Sequence, residues 1–155
     1  MVDAAFFGGG AAPPVPLPAG VERPETVREL TEKRWEVLAL SAEGCQCLAN
    51  KPEAVCACGT VLLPGDWSRL TARQIRAERA VSCGLSSRDS LTFSSLGDSG
   101  AVVCVQRALG RPDGGQVEPQ ELPLGPLECP TEDLLAVIGL GLMLQMPLTG
   151  AVKLC

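Results

Sequence analysis

The 155-residue chain has no histidine and no tyrosine, and aromatic residues make up only 3% of it. Without histidine the chain lacks the usual general base at neutral pH and the commonest nitrogen ligand of metals. A metal site would therefore have to use thiolates or carboxylates. Any core must be built from aliphatic side chains and cysteine, which agrees with an apolar content of 46%.

Positively charged residues are also few. The chain has 13 Lys and Arg against 18 Asp and Glu, which gives a formal net charge of −5. This balance argues against nucleic-acid binding that depends on bulk charge. No basic residue precedes the first apolar run, and Gly8-Gly9-Gly10 interrupts it, so a signal peptide is not expected. We therefore expect an intracellular, cytoplasmic protein whose eight cysteines are mostly reduced. The even cysteine count leaves the disulfide framework of a secreted protein as an alternative.

Changes in composition divide the chain into four parts. Residues 1–23 are rich in Gly, Ala and Pro and predict a disordered arm. Residues 24–110 predict an α+β domain, and residues 111–130 a linker rich in proline and glycine. Residues 131–155 predict an apolar C-terminal helix that packs on the domain.

Apolar periodicity and turn residues predict a small α+β fold with a mostly antiparallel sheet of about five strands and two or three helices. The predicted strands cover residues 36–42, 45–49, 54–63, 89–96 and 101–109. The predicted helices lie near residues 24–35, 70–81 and 131–145.

The cysteines between residues 45 and 58 form the one cluster with chemical content. A polar turn, Asn50-Lys51-Pro52-Glu53, separates two short apolar arms, which predicts a hairpin. Alternation along each strand then places four sulfurs on one face, those of Cys45, Cys47, Cys56 and Cys58. Four thiolates can bind zinc or take part in redox chemistry. Cys-x-Cys on a strand is not the usual zinc spacing, however, and cysteine is also a common small core residue.

Two short segments resemble known families. Gly97-Asp98-Ser99-Gly100, with Val102-Val103-Cys104 after it, resembles the nucleophile loop of chymotrypsin-like serine proteases, but that family activates its serine with a histidine, which this chain lacks. The same four residues favour a type I turn. Residues 30–44 resemble the first helix of LuxR-type helix-turn-helix regulators, and no basic recognition helix follows. We expect no enzymatic activity.

Two further groups of residues are candidate partner-binding sites. Arg69, Arg73 and Arg76 share one face of the predicted helix 70–81, where they form either a patch for an acidic partner or a solvated surface. Residues 134–152 carry no charge, so they form either a buried helix or a C-terminal membrane anchor. An all-round apolar helix needs a central position or a partner, and four of its residues are the candidate contacts: Leu134, Val137, Ile138 and Leu142.

These observations favour a non-catalytic interaction or assembly protein. Its aliphatic sheet and apolar C-terminal helix are expected to pack against a protein partner or another copy of the chain, without a cofactor. The alternatives are a thiolate metal-binding or redox module, with zinc on the cysteine hairpin, and a protein anchored in a membrane by residues 134–152.

Overall fold

A computed structural model describes residues 2–67, 70–97, 100–125 and 132–145 of the chain, without the side chains of residues 71 and 72. The strands are β1 (Ala4–Phe7), β2 (Val21–Glu22), β3 (Trp35–Leu40), β4 (Cys56–Pro64), β5 (Ile75–Cys83), β6 (Leu91–Gly97), β7 (Gly100–Val105), β8 (Leu109–Gly110), β9 (Gln116–Val117) and β10 (Gln120–Leu124). The helices are α1 (Val27–Thr31), α2 (Ala42–Ala49), α3 (Leu70–Arg73) and α4 (Glu132–Met143).

Eight of the strands form one mixed sheet in the order β10-β7-β6-β5-β4-β3-β1-β2, and β8 pairs with β9 in a second sheet. The chain is an α+β protein, but the prediction of a small, mostly antiparallel, five-stranded sheet is wrong. Neighbouring strands from β2 to β6 are parallel, and only β6, β7 and β10 are antiparallel. The physical reason is visible in β3 and β4, whose residues 37–40 and 61–63 are buried without a break. Uninterrupted apolar runs are typical of parallel strands covered on both faces.

The prediction of a disordered N-terminal arm is also wrong. All four residues of β1 are buried, and β1 lies between β2 and β3 in the sheet. Lys33 stabilises this edge, because its Nζ lies 2.9 Å from Glu22 Oε2 and 3.3 Å from Asp3 Oδ1. The same ammonium lies 4.4 Å from the centre of the Trp35 ring, in a cation–π contact.

Two predicted elements take a different secondary structure. Residues 45–49, predicted as a strand, belong to α2, which begins after Ser41 because the Ser41 hydroxyl accepts a bond from the Gly44 N–H at 3.0 Å. The predicted helix 70–81 contains only the short α3, and β5 follows from Ile75. β5 makes eight residue pairs with β4, so its conformation is set by tertiary pairing rather than by local helical spacing.

Two buried clusters lie on opposite faces of the sheet. Side chains of α1, α2 and α3 pack in one cluster, and those of α4 pack in the other. α4 approaches the sheet closely, since a Cβ added at Gly139 would lie 2.7 Å from Leu62 Cδ2 and 2.9 Å from Leu91 Cδ1. The sheet is therefore sandwiched between helices over its parallel half.

The buried side chain of Gln74 holds the connection between α2 and β4. Its Nε2 donates to the backbone carbonyls of Leu48 at 2.6 Å, Lys51 at 2.9 Å and Ala54 at 3.2 Å. The Gln74 carbonyl also accepts a bond from the Cys56 N–H at 2.7 Å. Gln74 is thus a second donor to the carbonyls of Leu48 and Lys51, which already accept the N–H groups of Lys51 and Ala54, and it also donates to the Ala54 carbonyl.

We expect Gln74→Met to lower the free energy of unfolding by about 1–3 kcal/mol, because it removes three hydrogen bonds of a buried amide, including the one to the Ala54 carbonyl, at nearly unchanged side-chain volume. Urea unfolding followed by circular dichroism measures this. Gln46→Met is the matched control, since the exposed Gln46 amide donates to the exposed Asn50 Oδ1 and not to a backbone carbonyl of the described residues, and we expect a change within about 0.5 kcal/mol. Equal losses in the two variants would contradict the assigned role of Gln74.

Candidate functional site

The four cysteines of the predicted hairpin lie on two different elements. Cys45 and Cys47 are on α2, whereas Cys56 and Cys58 are on β4. All except the half-buried Cys47 are buried. Within the described ranges no group of three or more Cys, Asp or Glu side chains has the arrangement of a metal site. Zinc binding and redox chemistry at these cysteines stay predictions.

Burial sets the protonation of these thiols. It raises the pKa of Cys45 to about 12 and that of Cys56 to about 11. Burial raises the pKa of Cys58 to about 12, helped by the neighbouring Cys56. Burial likewise raises the pKa of Cys83 far above its ordinary value. These four side chains are therefore neutral thiols at neutral pH and act as small apolar core residues.

Carboxylates collect at the carboxyl ends of the parallel strands. Burial, together with nearby Asp66, Asp133 and Asp89, raises the pKa of Glu132. Partial burial also raises the pKa of Asp133, although its Oδ1 accepts a bond from the Ala42 N–H at 3.2 Å. Asp133 thereby helps to cap α2 from the opposite face of the sheet. The carboxyl edge, where ligands bind in many open parallel sheets, is lined here by the chain's own acidic groups.

The candidate partner-binding residues of α4 lie inside the protein. Leu134, Val137 and Ile138 are at most 1% exposed, and Leu142 is half-buried. These side chains form core contacts rather than an exposed surface. Part of the predicted membrane segment, residues 146–152, lies outside the described residues, and among those described no helix is long and apolar enough to cross a bilayer.

Two of the three candidate arginines, Arg73 and Arg76, do not lie on one helix. Arg73 is the last residue of α3, and Arg76 lies on β5. Both are exposed, while Arg69 lies outside the described residues. Part of the exposed positive charge lies on β5, at Arg76 and Arg79, and the acidic Glu78 is exposed between them.

The sheet contains an interruption next to β5. On one side β5 pairs with β4 over its whole length, but on the other side a single bridge, Cys83↔Leu91, joins it to β6. Among the described residues no strand pairs with residues 75–82 on that side. The Cys56 N–H bonds the Gln74 carbonyl, so the alternation of a parallel ladder directs the backbone groups of Ala77 away from β4. The alternation shifts at Glu78, which the register with β4 skips, and beyond it the Ser82 carbonyl faces away from β4 and accepts a bond from the Ser90 N–H at 2.9 Å. We call the unpaired side of residues 75–81 the β5 edge.

Charged side chains flank the β5 edge. Arg76, Glu78 and Arg79 are exposed, and Ala77, between Arg76 and Glu78, is half-buried. Glu78 Oε1 lies 3.5 Å from Arg34 Nη2 on the neighbouring surface. The β8–β9 hairpin borders the edge at Arg79, since a Cβ at Gly110 would lie 2.9 Å from Arg79 Cζ. The edge was not predicted because the spacing of the arginines suggested a helix. The available signal was the alternation of apolar and charged residues over residues 75–78.

The thiols of Cys45, Cys56 and Cys58 predict a loss of stability at alkaline pH. Each has a folded pKa above the ordinary value of 9.0, so the folded chain holds its proton where the unfolded chain releases it. The stabilising contribution is complete below about pH 9 and is lost as the pH rises toward the folded values. Urea unfolding from pH 7 to 10.5 measures the slope.

The control for this prediction is Cys56→Val, which removes one titrating group at similar volume. The difference in stability between wild type and variant at pH 7 reports packing alone. We expect that difference to shift in favour of the variant as the pH rises. A difference independent of pH would show that Cys56 ionises equally in both states.

A scan against protein-family models, a search of curated proteins and a search of solved structures found no match to this chain. These comparisons therefore offer no known protein whose function could be transferred by analogy. The function has to be inferred from the side chains and backbone groups described above.

Proposed function

We propose that this chain is a non-catalytic interaction or assembly protein that binds an extended protein segment along the β5 edge. The observation that carries the proposal is the side of residues 75–81 away from β4, which no strand of the described part of the chain pairs, within an eight-stranded sheet. An extended segment that adds to such an edge gains main-chain hydrogen bonds along its length, and flanking side chains select its sequence.

The outer edges of the sheet are less suited to this role. β10 carries Pro123, which has no N–H to donate, and β2 has only two residues. Short strands and proline are common devices that prevent unwanted pairing at a sheet edge. The β5 edge has neither, since residues 75–81 contain no proline and belong to a strand of nine residues.

The charges of the β5 edge limit what can bind there. Ala77 packs on the face covered by α1, α2 and α3, so its neighbour Arg76 extends from the face of α4. Arg79 borders the β8–β9 hairpin on that same face, and Glu78 pairs with Arg34. An apolar segment would have to desolvate these charges, which costs free energy, whereas a segment with the reverse order of charges would pair with them. The edge therefore favours a partner strand of alternating charge.

The role proposed for α4 differs from the prediction made from the sequence, which was that its apolar face contacts a partner. Its side chains are needed for the chain's own core. In this proposal the sheet supplies the interaction surface, and α4 keeps the sheet rigid beneath it.

Ala77→Pro tests the proposal, because it removes the central N–H of the β5 edge and leaves the ladder to β4 intact. Affinity capture from extracts of the source organism is compared for wild type, Ala77→Pro and the control Ala77→Ser, which keeps the N–H. We expect the same partner with wild type and Ala77→Ser, and at least a tenfold weaker recovery with Ala77→Pro, about 1.4 kcal/mol. Equal recovery with all three proteins would refute binding at this edge.

A further inference from the structure

We propose that the segment bound along the β5 edge is acidic, with Asp or Glu side chains on the α4 face of the sheet that pair with Arg76 and Arg79. The inference rests on the proposed function and names the chemistry of its partner. It is carried by the distribution of side chains across β5, which places both arginines on one face and alanines on the other.

The buried neighbours of the two arginines fix the face on which each of them lies. Ile75 and Ala77 belong to the cluster packed under α1, α2 and α3, so Arg76 between them extends from the α4 face. Val81 belongs to the cluster packed under α4, so Arg79, two residues before it, lies on that face as well. The shift in β5 falls between the two arginines, and each is placed from its own side of that shift.

The two arginines are not neutralised by a neighbouring carboxylate. Glu78 lies between them in the sequence, but its Oε1 is 3.5 Å from Arg34 Nη2. In the part of the chain that the structure describes, no Asp or Glu side chain forms an ion pair with Arg76 or Arg79. The α4 face of the edge therefore presents two positive charges to a bound strand.

The β8–β9 hairpin holds Arg79 beside the edge. A Cβ at Gly110 would lie 2.9 Å from both Cζ and Nη1 of Arg79, so the guanidinium lies against the hairpin where glycine leaves room for it. An arginine restricted in this way loses less conformational entropy on binding. Its planar guanidinium can also bond both oxygens of one carboxylate.

The outward backbone and the opposite face determine the rest of the partner's chemistry. The backbone groups of Ala77 face outward, and so do those of Ala80, since the Ser82 carbonyl two residues later bonds the Ser90 N–H. The side chains of Ala77 and Ala80 lie on the face opposite the arginines, where they are half-buried and exposed. Because strands at the same level of a sheet share faces, a segment of alternating acidic and apolar residues matches both sides of the edge.

Other occupants match the edge less well. A basic strand would place like charges opposite the arginines, which is destabilising. A nucleic acid would supply negative charge, but it has no peptide N–H and C=O groups to continue the sheet. The favoured occupant is therefore an acidic segment of a protein.

Two labelled peptides of about eight residues, enough to span residues 75–81, test the inference. One alternates valine with glutamate and the other valine with lysine, and fluorescence anisotropy measures their binding. We expect wild type to bind the glutamate peptide at least about tenfold more tightly than the lysine peptide. The formal net charge of −5 by itself would favour the lysine peptide, so this preference reports the local arginines.

Variants locate the binding on the edge. Arg76→Glu/Arg79→Glu is expected to weaken binding of the glutamate peptide at least about tenfold and to reverse the preference. The control Arg28→Glu/Arg88→Glu changes the net charge equally at exposed positions outside β5 and is expected to keep the wild-type preference. Ala77→Pro is expected to weaken binding of the glutamate peptide, whereas Ala77→Ser is not. Circular dichroism confirms that each variant is folded, and raised salt is expected to weaken binding to wild type.

Failure of wild type to prefer the glutamate peptide would overturn the acidic partner. A preference that survives Arg76→Glu/Arg79→Glu, or binding that Ala77→Pro leaves unchanged, would overturn it as well. If one of these results is found while capture from extracts still distinguishes Ala77→Pro from Ala77→Ser, the proposed function holds with a partner of different charge. If capture is also equal for the two variants, both proposals fail.

Discussion

The burial of α4 is the constraint on which the rest of the structure depends. Nine of its twelve residues are buried, so the helix must lie against a broad apolar surface. Gly139 permits this, because its missing side chain lets the helix backbone approach Leu62 of β4 and Leu91 of β6. α4 thus spans the point where the parallel half of the sheet meets the antiparallel half, and it holds both halves in one body although a single bridge joins them.

The start of α4 then determines the chemistry of the carboxyl edge. Asp133 accepts a hydrogen bond from the Ala42 N–H at the start of α2, and a carboxylate at a helix N-terminus is stabilised by the helix dipole. In open parallel sheets this is the position where a phosphate or other anion often binds. Here a side chain of the same protein occupies it. The contact ties the helical layers of the two faces together around the end of β3.

Much of the local structure could be predicted from the sequence, but the topology could not. The continuous apolar runs at residues 37–40 and 61–63 identified strands, and the uncharged segment after residue 131 identified a helix. The parallel arrangement was missed because α2 and α3 are short and carry weak signals. Cys45 and Cys47 read as strand residues, although the Ser41 cap specifies a helix. β1 was missed because only four apolar residues stand next to a Gly- and Pro-rich stretch.

The β5 edge could not be predicted from local sequence patterns, because it depends on where two strands meet. β6 begins beside the end of β5 and therefore leaves the earlier part of β5 uncovered. Residues 84–90 form a tight turn around buried Asp89, whose Oδ2 accepts a bond from the Ser86 N–H at 3.0 Å. A Cβ at Gly65 or Gly84 would overlap the Asp89 carboxylate, so these positions need glycine for the close approach.

β6 leaves this turn level with Cys83 and continues past the carboxyl ends of the other parallel strands. It therefore cannot cover the lower part of β5. In water the uncovered backbone groups are solvated and cost little, but a bound strand must replace every one of those bonds. Occupation of the edge thus depends on a partner whose backbone register and charges agree with those of β5.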